Sequence, residues 1–148
     1  IQMVDSVRER IVGVLLTRTS AARAYTRPDM LPARGLFVGP DTDGQIPVYG
    51  GQQLTLTATL EQVESVPTPG ADIAAFAAAV DARATAALAE LIAALGSGEI
   101  DDGAFLADPP TITSATAGLA EGNPTLLAAR VEFSVVYRHA RGDPYTPA

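Results

Sequence analysis

The 148-residue sequence contains no cysteine, no lysine and no tryptophan, and a single histidine, His139. Without cysteine there are no disulfides, no zinc-thiolate sites and no thiol nucleophiles, and the redox compartment is left open. One histidine cannot build a histidine pair, a Ser-His-Asp triad or an ordinary catalytic zinc site within one chain. His139 is expected to be solvated near the end of the chain, beside Arg138 and Arg141. All ten fixed side-chain cations are arginines, set against seventeen acids for a net charge of -7. Arginine without lysine fits the codon usage of a GC-rich genome, as does the abundance of Ala, Gly and Pro; it also suits planar, bidentate contacts at interfaces. The acidic balance argues against nucleic acid as a specific partner, because that role needs a basic stripe to displace phosphate counterions.

Uninterrupted apolar runs of membrane-spanning length are missing, and no charged-then-apolar leader opens the chain, so a soluble protein with no membrane partner is expected. Ile1 and Gln2 precede Met3, and residues 1–2 are read as a cloning remnant. Gly50-Gly51 and Gly96-Ser97-Gly98 lack the strand-to-helix context and the lysine of a phosphate loop. No catalytic motif is present, and the expectation is a non-enzyme with no metal and no cofactor. The length suits a single domain spanning 1–148.

What the chain does contain is periodicity. Leu127, Ala129, Val131, Phe133, Val135 and Tyr137 alternate with Ala128, Arg130, Glu132, Ser134 and Val136, the period of a strand with one buried face. At about 3.3 Å per residue this strand runs about 35 Å and is the expected spine of a sheet. Gln53 to Val63 alternates in the same way, with Leu54, Leu56, Ala58 and Leu60 on one face and Thr55, Thr57, Thr59 and Glu61 on the other. Thr111 to Ala117 reads as a third strand, Thr111, Thr113 and Ala115 alternating against Ile112 and Ser114. The spine can pair with Gln53–Val63 or with Thr111–Ala117, and the order is open.

Two helices are predicted. Ser6-Val7-Arg8-Glu9 has the form of a capping box, followed by Val7, Ile11, Val14 and Leu15 at helical spacing. The long helix, Ile73 to Leu95, carries Ile73, Phe76, Val80, Leu88, Leu91, Ile92 and Leu95 at intervals of three and four, continued by Ala84 and Ala87. Asp72 is its expected N-cap and Gly96 its C-cap. From Pro28 to Gly51 four prolines and five glycines mark a long loop or hairpin arm, with Asp43-Gly44 as a turn signal. That stretch is either a simple excursion or a partner-binding arm. Glu99, Asp101, Asp102 and Asp108 lie in an acidic turn whose spacing does not fit an EF-hand. The fold class is therefore α+β: a mixed, mainly antiparallel sheet with an N-terminal helix and one long Ala-rich helix packed on it.

Several of these features together resemble the tail terminator proteins of long-tailed bacteriophages, the minor tail protein family that includes the lambda minor tail protein U. They are the N-terminal helix, the proline-led Arg27-Pro28-Asp29-Met30-Leu31-Pro32 before Leu36-Phe37-Val38, the long arm and the Leu54–Leu60 strand. The helix from Asp72, the closing Val131–Arg138 strand and the tail Arg141-Gly142-Asp143-Pro144 complete them. The resemblance implies a homohexameric ring that caps the tail tube and joins tail to head, with the tube protein and the head-tail connector as partners. It also implies localisation in the virion tail, and in the bacterial cytoplasm during assembly. Another tail-completion or connector protein, or a part of a contractile injection machine, shares the same features; a small ligand-binding domain is the more distant alternative. Within the resemblance, the residues expected at subunit contacts are Arg130, Arg138, Arg141, Asp143, Tyr49 and Phe37.

Overall fold

The computed structural model describes residues 5–24, 34–48, 51–66, 70, 72–120 and 123–147, with side chains at all of these but 24, 41–48, 120 and 123–125. In chain order they form helix α1 (Val7–Thr19), strands β1 (Ala22–Ala24), β2 (Arg34–Val48) and β3 (Gly51–Ser65), and helix α2 (Ile73–Leu95). Strands β4 (Ile100–Asp101), β5 (Phe105–Ala107), β6 (Thr111–Ala120), β7 (Asn123–Ala140) and β8 (Asp143–Pro147) follow. All eight strands join one sheet, mixed because β1 runs parallel to β2 while the other pairings are antiparallel. The fold is α+β.

The other strands are arranged around β7. One edge of it carries β3 from Gly51 opposite Ala140 to Ser65 opposite Leu126. The other edge is shared by β6 over the first half, β5 at Tyr137 and β8 at the end. Both partners left open by the alternation are used, one on each edge. The register sets Leu54, Leu56, Ala58 and Leu60 opposite Tyr137, Val135, Phe133 and Val131. These eight side chains are buried on the face that the helices cover. The opposite face carries the partly exposed Thr55, Thr57 and Thr59 of β3 and the even-numbered residues of β7.

Helix α1 begins at Ser6, whose hydroxyl accepts the Glu9 amide at 3.2 Å, and ends at Ser20 in the left-handed region, φ 54°. The Glu9 carboxylate reaches Arg23 at 2.8 Å, so an ion pair with β1 competes for the acid half of the capping box. Asp72 caps α2 by accepting the Ala75 amide at 3.0 Å, and Gly96 (φ 72°) ends the helix with its amide on Ile92 O. Val80, Ala84, Ala87, Leu91 and Leu95 form the buried stripe of α2. Ile73, expected in that stripe, is 76 % exposed, and Ile92 is 39 % exposed. The first two turns of the helix are exposed except for Phe76, which packs partly buried against the core, and Ile92 sits on the helix flank. No helix among the described residues is long and apolar enough to cross a membrane.

Within 28–51, Arg34–Val48 is strand β2, paired with β3 from Arg34 opposite Gln62 to Val48 opposite Gly51. The register slips between Val38 and Asp41 and again between Thr42 and Ile46. Asp43-Gly44, a turn signal in the sequence, falls in the second irregularity: a bulge takes up the extra residues and the chain stays in the sheet. At the first, a Cβ on Gly39 would stand 2.9 Å from Thr57 Oγ1, so only glycine allows the strands to approach there. Residues 28–33, 49 and 50 lie outside the described residues, as do 1–4.

A bulge also corrects the reading of Thr111–Ala117. The register shifts between Ile112 and Ser114, which leaves Ile112 opposite Phe133 and Ala115 opposite Val131, both on the helix-covered side. Strict alternation through Thr113 would have put them on opposite faces. His139, expected in solvent, is 4 % exposed. It shares the covered face with Tyr137, β8 folds back with Pro147 opposite it, and Nδ1 donates to Ala140 O at 2.8 Å.

Candidate functional site: an assembly surface

Arg130 and Arg138 both lie on the uncovered face of β7, but eight residues apart, about 26 Å along the strand. Arg130 has Glu61 of β3 and Thr116 of β6 as its cross-strand partners. Its Nη2 lies 3.6 Å from Glu132, while its Nε is buried without a hydrogen-bond partner among the described residues. Arg138 donates from Nε to Gln53 Oε1 at 3.1 Å, and its Nη1 lies 3.9 Å from Asp108. Arg141 is exposed in the turn that Gly142 makes with φ 73°. Asp143 is engaged locally, accepting from Thr146 Oγ1 at 2.6 Å and the Tyr145 amide at 3.0 Å. Those two bonds, the hydroxyl's first, hold its carboxyl below the usual aspartate range. Phe37 is half-buried on β2 opposite Thr59, and Tyr49 lies outside the described residues. The structure thus gathers Arg138, Arg141 and Asp143 at one end of β7 and leaves Arg130 and Phe37 nearer the middle of the sheet.

Between these ends the uncovered face has a shallow hollow of about 220 Å³ lined by Gly39, Thr57, Thr59, Thr113, Glu132 and Ser134. Two of its hydroxyls are already used: Thr57 donates to Pro40 O and Thr113 to Glu132 O. A larger groove of about 650 Å³ runs between the end of β3 and the start of α2, with Val66, Phe76, Ala79 and Val80 as its apolar wall. Glu64, Asp72 and Arg83 stand at the groove, polar neighbours that the apolar stripe of the helix did not reveal. Among the described residues no group of three His, Asp or Glu side chains is placed to hold a metal ion.

The arginines of the helices tie elements together. Arg8 donates to Gly39 O at 2.6 Å, and Arg18 reaches the carbonyls of Leu95, Gly98 and Glu99. Arg83 bonds Glu64 and Glu90, Glu90 accepts from Gln62, and Gln62 accepts from Arg34, a polar chain from α2 across β3 to β2. No motif announces these contacts, because their partners are up to 92 residues away in sequence, as for Arg10 and Asp102.

Arg10 grips Asp102 through two bonds of 2.7 Å, chiefly through these hydrogen bonds holding its carboxyl below the usual range. The Glu90 carboxyl is lowered in the same direction, first by Arg83 and then by Gln62. A carboxyl with a lowered folded-state pKa stabilises the fold fully above its unfolded value, about 3.9 for Asp and 4.3 for Glu. That stabilisation is lost as pH falls through the folded value. Thermal unfolding between pH 7 and 2 should therefore show no loss from these groups down to about pH 5 and a fall below about pH 4. Asp102→Asn should make the acid fall shallower; an unchanged slope would remove Asp102 from that account.

No family model matches the chain, and no curated protein matches it. Among solved structures it is similar to a chain from the virion of a native gene transfer agent particle. The TM-score is 0.42 and the identity 15 %, over 90 % of this chain and 92 % of that one.

Proposed function

We propose that this chain is a structural protein of a phage or prophage particle, one that caps the tail tube as a homohexameric ring and joins the tail to the head. The observation that carries the reading is the order of elements: helix α1, the long β2–β3 hairpin, the long helix α2 and the closing strand β7. That order is the one on which the resemblance to tail terminator proteins rests. In this reading the partners are other copies of the chain, the tube protein and the head-tail connector. The chain acts in the virion tail after assembly in the bacterial cytoplasm, without turnover and without a cofactor.

The test is to add the purified chain to tail tubes of its own particle and image the tube ends. Sixfold ring density at the ends is the expected result. Binding to connectors but not to tubes would make it a connector or completion protein, and binding to neither would overturn the reading. Within it, Arg138 is a subunit contact. Arg138→Glu should reduce ring formation at least tenfold while the thermal midpoint moves by only a few degrees, because Arg138 is a half-exposed pair worth about 1 kcal/mol or less to the monomer. Undiminished rings would remove Arg138 from the interface.

A further inference from the structure

Sheet edges invite other chains, and the free edges here are guarded unequally. The free part of β2 has two irregularities in its register and contains Pro40 and Pro47. β8 contains Pro144 and Pro147, and β1 and β4 are three and two residues long. β6 differs: after the bulge at Thr113, Ser114–Leu119 is a regular six-residue run with no charge and no proline, paired among the described residues on one side only, to β7. Ile112 and Leu119 project to the helix-covered side of β6 but remain 40 % and 42 % exposed, with no described strand beyond β6 to cover them.

We propose that in the free protein this edge is covered by the same edge of a second copy, β6 against β6 in antiparallel register about a two-fold axis. Helix α2 packs on β6 and β7 in nearly equal measure, so its axis lies roughly between them. Joining the two sheets at the usual strand spacing of about 4.8 Å brings α2 to about 10 Å from its copy, twice that spacing. Packed helices sit about 8–10 Å apart, closest where the side chains between them are small. The helix flank that would meet its copy is small or apolar. Arg83 and Glu90 turn toward β3, as their bonds to Glu64 and Gln62 require. Helical spacing then directs Ala74, Ala78, Thr85, Leu88 and Ile92 toward the β6 side, with Asp81 as the one charge. Two copies of net charge -7 repel overall, and this nearly neutral surface is where they can meet. A two-fold contact closes at two copies, so the pairing is a property of the free chain and does not rest on the ring reading.

The absence of cysteine makes the test direct. Native mass spectrometry of the full chain should give a dimer at micromolar concentration. Single cysteines placed in turn at Ser114, Ala115, Thr116 and Ala117 should form a disulfide-linked dimer under mild oxidation at one or two adjacent positions, those nearest the two-fold axis. Thr116→Lys and Thr116→Glu should each weaken the dimer at least tenfold while the circular dichroism spectrum of the folded chain stays unchanged, and mixing the two should restore it. A monomer at all concentrations overturns the proposal. So does a dimer that none of the four cysteines links and that Thr116→Lys leaves intact. Ring formation on tube ends is measured separately, so the two readings can fail independently.

Discussion

Phe133→Ala should cost about 3–5 kcal/mol, the range for removing a buried aromatic ring from a packed core. Phe133 is 2 % exposed at the middle of β7, with Ala58 beside it on β3 and Ile112 on β6. Ala58 has no further atoms to move into the space, and the sheet ladders on both sides hold the backbone in place, so a cavity would remain. For a chain of this size the thermal midpoint should fall by on the order of 10 °C. Ile73→Ala is the matched comparison: it too removes a large apolar side chain, but one that is 76 % exposed, and it should change stability by about 0.5 kcal/mol or less. Similar losses for the two would mean that the start of α2 is packed against something.

Arg18→Ala should be the most damaging substitution of a surface charge, at about 2 kcal/mol, because hydrogen bonds from a charged donor are among the stronger ones and one of its three carbonyl partners is partly buried. The Arg18 guanidinium donates to Leu95 O at 3.3 Å, Gly98 O at 3.1 Å and Glu99 O at 2.8 Å. Leu95 O is one of the carbonyls that the end of α2 leaves without a helical partner, and a cation there also opposes the negative end of the helix dipole. Gly96, with φ 72°, turns the chain so that the three carbonyls converge on one side chain. Arg18→Lys should recover only part of the loss, since one ammonium cannot span the same fork. Urea midpoints for the three proteins, compared at constant slope, measure this. An Arg18→Ala protein as stable as the parent would show that water replaces the guanidinium at no cost.

The elements with unbroken periodicity were legible, and those with interruptions were not. Leu127–Tyr137 and Gln53–Val63 alternate without a break and form the two central strands, paired edge to edge in antiparallel register. Ile73–Leu95 repeats at three and four between a capping Asp72 and a Gly96, and α2 has those bounds. Thr111–Ala117 was recognisable as a strand, but the bulge at Thr113 moved Ala115 to the other face, and a bulge has no signature in alternation. In β2, read as a long loop or hairpin arm, the chain forms one strand of the β2–β3 hairpin, with Gly39, Pro40 and Gly44 at the irregularities in its pairing.

Of the residues expected at subunit contacts, Arg130, Arg138 and Arg141 were legible only as charges on or just beyond the spine strand. Their separation into an Arg138–Arg141 end and a central Arg130 depends on counting along β7 within the folded sheet. The uncharged Ser114–Leu119 run was visible in the sequence, yet it becomes an open edge only once β7 has taken its other partner.

Composition and spacing by themselves determined the α+β class, both helices with their caps, and the buried face of the two long strands. Each of these follows from side chains placed at a fixed period along a local backbone, so no distant residue is needed to specify it. Only the tertiary structure decided the strand order, the burial of His139 beneath the turn into β8, and the partners of Arg10, Arg18 and Arg83. It also decided which edge stays open. Those outcomes depend on which distant segments the buried faces bring together, and polar side chains then bond whatever partner that packing leaves within reach.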